Sequence, residues 1–395
     1  QCSWCEYGDR PPMASAPRKS QSSPASPTCV EASSPRTSGW FGVLLAAAVF
    51  ATTFATFVPA LNNQFVDWDD NTNFTENQAW RGLGPPQLTW MFTEFFNGHY
   101  QPVTWLTLGF DFVLASKFFP DDAKHGAGMD PRIYHFSNIA FHSLNAVLVY
   151  LVAVRLIGIA FFRDVRSRAI VTSIAAAFAA ALWSVHPLRV ENVAWITERR
   201  DLVSATFLLL TVLAYLRSVR MNGAARWTWL TISVAVYIVS MLAKVSGAPL
   251  FVALLAVDWY PLRRFARDSH TSKVAVLLEK LPFLAVGLLF SYIAARNQAR
   301  FGWMYDFDTH PFDHRLLGSM YGLVFYAWKT IAPIHLLPLY ELLIPMNASE
   351  AKFLIAPLIV GAAGLLILAL LIARRLPGFV VAAVCYAAFL GPVLG

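Results

Sequence analysis

Long apolar runs alternate with short basic stretches along this chain. The runs cover about 40–60, 133–157, 169–187, 202–217, 228–246, 248–262, 279–296, 353–373 and 377–393. Most approach the roughly 17–25 residues that carry a helix across a bilayer. They predict an all-α fold, a polytopic membrane helix bundle. The first run is too long for a signal-peptide core and lacks a small-residue cleavage site, so it reads as a first span.

Short basic stretches test the direction of each crossing. "FRDVRSR" (162–168), "RSVRMNGAAR" (217–226) and "PLRRFARDSHTSK" (261–273) belong on the cytoplasmic side. Runs 40–60 and 133–157 supply the two crossings needed before Arg163. The segment 102–119, "PVTWLTLGFDFVLASKFF", therefore does not cross. It is short and carries Asp111, which suits an interfacial helix. Residues 61–131 become one large outside loop. By the same parity, 316–337 re-enters or lies on the outer face, which keeps Arg374 and Arg375 inside; Lys329, Pro333 and His335 also interrupt it.

Composition agrees with this pattern. Of 395 residues, 56% are hydrophobic and only 14% charged, against about a quarter charged in soluble domains; the mean hydropathy is +0.49. The net charge of +7 resides in inter-helix loops and orients the bundle. No basic patch interleaved with aromatics points to nucleic acid. Residues 1–38, rich in Ser, Pro and Ala, are expected to be a disordered cytoplasmic tail. Cys2 and Cys5 form a lone CxxC there, with Cys29 nearby, which is weak as a zinc site. Cys385 lies in an apolar run and suits packing. The chain stops at "AAFLGPVLG" without a polar tail, which reads as a truncated end, and no 34-residue helical-pair repeat is present in it.

Four constellations could carry chemistry. In "FVDWDDNTNF" (65–74), Asp67, Asp69 and Asp70 crowd against aromatics. The stretch is either a solvated, helix-capping loop or a general base at the membrane surface. A calcium loop fails, because Thr72 stands where the turn glycine belongs and Gln78 where the last Glu belongs. The second is "HPLRVENVAWITERRD" (186–201), where Arg189, Arg199 and Arg200 lie outside, against the charge trend, beside Glu191, Glu198 and Asp201. It is either an ion-paired interfacial helix anchored by Trp195 or a phosphate site. The third is a polar stripe: His135, Asn138, His142 and Asn145 share one helix face, which must point into the bundle for helix–helix hydrogen bonds or ligand contact. The fourth is Lys244, which either snorkels from a span end or contacts phosphate.

Other polar residues are less specific. His99, Tyr100 and Trp105 lie near the acid loop. Asp306, Asp308, His310 and His314 are spaced irregularly for a metal. Asn73 and Asn347 match the glycosylation acceptor pattern, which is common by chance.

Taken in order, "FVDWDDNTNFTEN", "QPVTWLTLGFD", "YHFSNIAFHSLNAVLVYLVAVRL", "LWSVHPLRVENVAWITERRDLVSATFLLLTVLAYLR" and "LAKVSGAPLFVALLAVDWYPLRR" resemble the transmembrane, tetratricopeptide-repeat-containing O-mannosyltransferases and their bacterial relatives. The resemblance runs from about 40 to 395, so residues 39–395 are expected to form a transmembrane domain of the GT-C glycosyltransferase type. It implies an acidic pair at Asp69 and Asp70, with Asp67 an extra acid. It also implies His-Pro and Glu-Arg-Lys-Asp elements at His186, Pro187, Glu198, Arg199, Arg200 and Asp201, with Arg200 in place of the usual Lys. Lys244 keeps the family's lysine, though Val245 replaces the proline after it. Gln101 stands where a basic residue precedes Pro102, unless His99 substitutes. The repeat domain is absent from this stretch.

The resemblance implies transfer of a hexose, mannose the favoured one, from a polyprenyl-phosphate-linked donor to a protein or glycan hydroxyl on the outer or lumenal face. Inversion is favoured because one carboxylate base suffices. Asp69 and Asp70 would be catalytic, in either order. Arg189, Arg199, Arg200 and Lys244 would hold the donor phosphate. His186, Glu191, Glu198, Asp201, His99, Trp105, His135, Asn138 and His142 would support them. No cofactor is required, although the acids could hold a divalent metal. The membrane is either the bacterial inner membrane or the endoplasmic reticulum. The competing readings are a polytopic lipid or solute transporter and an inactive assembly scaffold.

Overall fold

A computed structural model describes residues 39–120, 126–161, 166–267, 269, 271–302, 307–308, 311–340 and 349–394. The tail with Cys2, Cys5 and Cys29, the loop residue Arg163, Asp306, His310 and the acceptor Asn347 lie outside these. No β-strand occurs among the described residues. The α-helices are α1 (Gly39–Phe57), α2 (Pro85–Thr93), α3 (Pro102–Phe118), α4 (Pro131–Phe161), α5 (Arg166–Ser184), α6 (Val190–Ala194), α7 (Arg199–Val219), α8 (Gly223–Met241), α9 (Leu250–Trp259), α10 (Lys273–Leu278), α11 (Leu281–Arg300), α12 (Phe312–Ile331), α13 (Ala351–Ile372) and α14 (Pro377–Leu390).

Among the described residues six helical stretches are long and apolar enough to cross a membrane: 39–62, 131–161, 196–219, 223–241, 273–300 and 351–372. A seventh is the pair 169–184 and 187–194, bent by 61° at the break. Pro187 sits at that break, where it removes an N–H and disfavours the helical conformation of His186 before it. The expected spans 248–262 and 377–393 differ from this picture. They form shorter apolar helices, 245–259 and 377–393, and α9 packs on α14. Neither α3, which carries Asp111, nor α12 is among the crossing candidates.

The bundle is built on helix pairs. α7 packs on α8, α4 lies against α1, α5 and α7, and α12 packs on α13. α4 and α7 run parallel, because Asn138 meets residues 193–199 while Asn145 meets Leu202 and Thr206. The segment between α1 and α4 has its own aromatic core of Phe74, Trp80, Trp105 and Tyr134, packed with Met91, Leu108 and Ile196. Aromatic rings at such spacings gain from edge and offset contacts beyond burial. Gly109 permits the close approach of α3: a Cβ there would sit 2.7 Å from the Gly82 carbonyl oxygen. Thr104 Oγ1 donates to the Ala243 carbonyl at 3.0 Å, and the Val103 N–H to Leu242 at 3.3 Å. These bonds seat the start of α3 on the end of α8.

Candidate functional site

The polar positions singled out above converge on one end of the bundle. Asp70 is fully buried. Its Oδ2 accepts the Val66 N–H at 2.9 Å, and its Oδ1 accepts the Thr197 N–H at 3.1 Å and the Thr197 hydroxyl at 2.6 Å. Burial pushes the Asp70 carboxyl above its ordinary range, and the bonds from Thr197 and Val66 oppose that push. Both oxygens are therefore engaged in joining the acid loop to the start of α7. Asp69, beside it, is half-exposed, and its charge acts on Arg200. The extra acid Asp67 accepts a short hydrogen bond from Asn71 Nδ2, as a turn-capping residue does. The acid stretch is thus a capped loop with one carboxylate, Asp69, left toward the basic residues.

At the start of α7, Glu198 joins Arg200 and Lys244. Arg200 Nη2 lies 2.7 Å from Glu198 Oε1, and Lys244 Nζ lies 3.1 Å from Glu198 Oε2. Lys244 also reaches Asp201 Oδ2 at 2.7 Å, and Asn192 Nδ2 donates to the same oxygen at 3.1 Å. The side chains of Lys244 and Asp201 remain 29% and 26% exposed, so this group is open to solvent. His99 is close enough to feel Arg200 and Lys244. Burial first, then those charges, hold its imidazole down at about 4. His99 is therefore neutral at neutral pH and does not supply the basic charge missing at Gln101.

Arg189 stands apart from this pairing. Its Nε is buried with no hydrogen-bond partner, and its guanidinium lies 5.2 Å from the Trp183 ring centroid. Glu191 is exposed on α6. His186 accepts the Leu188 N–H on Nδ1 at 3.2 Å and donates from Nε2 to the Thr330 carbonyl at 3.0 Å, which ties the break after α5 to α12.

Several expected site residues prove internal. Arg199 is fully buried, with Nη2 2.8 Å from Asp111 Oδ2 and 2.7 Å from the Tyr134 carbonyl oxygen, and Nε donating to Asn138. Its expected role as a phosphate ligand is corrected accordingly: its charge balances Asp111 inside the protein. Burial raises the Asp111 carboxyl, and Arg199 with the Ser137 hydroxyl, 2.7 Å away, draws it back. Trp105 is core, stacked at 6.2 Å on Trp80. Asn138 donates to the carbonyls of Val193 and Trp195. His142 donates to the Ser184 carbonyl at 2.9 Å, and His135 is buried beside the backbone of Asn63 and Gln64. Asn138, His142 and Asn145 of the α4 stripe thus serve helix–helix bonding. Among the described residues no cluster of three or more His, Cys, Asp or Glu is arranged to hold a metal.

Two features escaped sequence reasoning. Trp68 stacks on Trp195, with ring centroids 5.6 Å apart and planes 24° apart, and is 44% exposed next to Asp69. At the far end of α7, Tyr215, Asp258, Arg264, Glu279 and Lys280 form a second, closed ionic group. An aspartate and a Glu-Lys pair inside or bordering apolar runs were the available signal for it.

The fold and site define a polytopic, all-α membrane protein with an open ionic group at one end of its bundle. Curated proteins similar to it are protein O-mannosyl-transferases. Protein O-mannosyl-transferase tmtc2 of Xenopus laevis is 27% identical over 179 residues, 45% of this chain and 20% of the relative. TMTC3 of Mus musculus is 30% identical over 148 residues, 38% and 13% of the two chains. TMTC4 of Homo sapiens is 32% identical over 152 residues, 38% and 19%. The matched stretch thus spans a fifth or less of these relatives' own length. No family model and no solved structure matches the chain. All six curated matches are protein O-mannosyl-transferases.

Proposed function

We propose that the chain is a membrane glycosyltransferase of the GT-C type. It moves a hexose, mannose, from a polyprenyl-phosphate carrier to a hydroxyl on a protein acceptor, with inversion, on the outer or lumenal face. The observation that carries this reading is the division of labour in the acid loop: Asp70 is buried and bonded on both oxygens, while Asp69 is half-exposed and its charge acts on Arg200. The names of the curated relatives support the reaction class.

In this scheme Asp69 takes the proton of the acceptor hydroxyl. The hydroxyl oxygen forms its bond to the sugar's anomeric carbon as the bond from that carbon to the phosphate oxygen breaks. The carrier leaves as a polyprenyl monophosphate with one further negative charge. Arg189, with a buried and unsatisfied Nε, is the cation most ready to receive that phosphate. Arg200 and Lys244 add to it by exchanging part of their hold on Glu198 and Asp201. Arg199 positions the start of α7 through Asp111. Trp68, backed by Trp195, offers an indole face for the sugar ring beside Asp69.

Purified protein reconstituted with polyprenyl-phosphate mannose and a protein acceptor tests the scheme. Asp69→Asn should lower turnover about 10²- to 10⁴-fold with an unchanged unfolding midpoint. Asp70→Asn should lower both turnover and midpoint. Wild-type rates in Asp69→Asn would overturn the assignment of the base. Donor accumulation in vesicles without transfer would favour a carrier instead.

A further inference from the structure

The end of α4 and the end of α7 bring three arginines together. Because α4 and α7 run parallel, the bonds of Asn138 to residues 193–199 and of Asn145 to Leu202 and Thr206 set a register between them. Continued along both helices at about 1.5 Å per residue, that register, an offset of 57 to 61 residues, brings Arg155 level with residues 212–216 of α7. Arg217 is the next residue, and Arg220 follows three residues later, one turn on. Arg155 is half-buried, while Arg217 and Arg220 are exposed. Arg155 feels the charges of both, and burial first, then Arg217, holds Arg220 below its ordinary range.

Among the described residues no carboxylate compensates them. Arg155 gives one donor to the Leu151 carbonyl at 2.9 Å, and Arg217 lies 6.0 Å from the Trp229 ring centroid. Two described acids at this end of the bundle, Asp258 and Glu279, are held by Tyr215, Arg264, Lys280 and Arg226. Three like charges converge here beside Trp229 with most of their fifteen N–H donors, about five per guanidinium, uncommitted. A charge bias that only oriented the bundle would be met by arginines anywhere on this rim and would not require them to meet.

We propose that Arg155, Arg217 and Arg220 form a binding site for the phosphate of an anionic phospholipid, set between α4 and α7 at the end opposite Asp69. The depth fits a lipid. Arg155 belongs to the crossing stretch 131–161 and lies six residues, roughly 9 Å, from its end. A guanidinium at that depth reaches the headgroup layer along its aliphatic stem and binds phosphate bidentately. Arg217 and Arg220 close over it from the membrane surface. The site is independent of the transfer chemistry proposed above.

The test uses the purified chain in neutral detergent, with its unfolding midpoint followed as phosphatidylglycerol, phosphatidylcholine or inorganic phosphate is added. Phosphatidylglycerol should raise the midpoint saturably, and phosphatidylcholine should not. Arg155→Gln and Arg220→Glu should each weaken the apparent phosphatidylglycerol affinity about tenfold, as loss of one charge-assisted pair does. Arg220→Glu alters an exposed side chain, so it reports binding even if Arg155→Gln folds poorly. An equal rise with phosphatidylcholine, or wild-type titrations in both variants, would overturn the site. An equal rise with inorganic phosphate would assign it to the free anion and overturn the lipid.

Discussion

α7 carries an ionic group at each end, and the two are built differently. At the Asp258 end, two carboxylates and two cations sit inside the protein. Arg264 Nη1 lies 2.8 Å from Glu279 Oε2, Lys280 Nζ lies 2.6 Å from Asp258 Oδ2, and the Tyr215 hydroxyl donates to Asp258 at 2.7 Å. Asp258 is fully buried, and Arg264 is 6% exposed. At the Glu198 end, roughly 25 Å away by helix rise, Arg200, Lys244, Glu198 and Asp201 are also paired, yet Lys244 and Asp201 are partly solvated and the charges of Asp69 and Arg189 act on this group. A closed group holds helices together because removing any member strands a buried charge. In the second group the Lys244–Asp201 pair is partly solvated and can exchange its carboxylate for an incoming phosphate at lower cost than a fully buried pair can. Charge alone does not mark a site; accessible charge with replaceable partners does.

The comparison breaks most visibly at the closed end. Asp258→Ala should cost about 3–5 kcal/mol of stability, because Lys280 and Arg264 lose a buried partner. Thermal unfolding in detergent measures this, and a loss below about 1 kcal/mol would show that the group is not structural. Arg199→Met should cost a similar amount by stranding Asp111. The double variant Arg199→Met with Asp111→Leu should recover part of it, and a fully additive loss would refute the pairing argument. At the open end, Lys244→Gln should leave the unfolding midpoint within about 1 kcal/mol of wild type while raising the donor KM roughly tenfold. A structural loss without a KM change would move Lys244 into the closed class.

The smallest effect concerns pH. Burial and the nearby cations lower the folded-state value of His99 to about 4 from an ordinary 6.5. The unfolded chain therefore binds a proton in this window that the folded chain refuses. The contribution of His99 is fully present above pH 6.5 and is lost as pH falls toward 4. His99→Gln should flatten stability against pH in that window, and an unchanged slope would remove His99 from the neighbourhood of Arg200 and Lys244.

Much of this was legible in the residues. Apolar run lengths predicted the helical bundle, and spacings of three and four predicted the inward face of α4. The helices at 245–259 and 377–393 came out shorter than the six long apolar ones, a difference in length that apolar composition alone does not show. Asp70 and Asp69 could not be separated by sequence, because the difference between them is a contact with Thr197, 127 residues away. Arg199 and Arg200 were likewise equivalent on paper. One faces inward to Asp111 and the other outward to Glu198, as adjacent positions on a helix do. Asp111 was visible only as an obstacle to crossing; its partner lies 88 residues on.

The bonds from Asp70 to Val66 and Thr197 have a consequence for how this region can vary. Asp69 takes its place from a loop pinned to the start of α7. The segment that follows is tied down as well, through Trp80 and Met91 in the aromatic core and Arg81 on the carbonyls of Phe74 and Thr75. Change is confined to its exposed positions, and a substitution at Thr197 would shift the acid loop and Arg200 together.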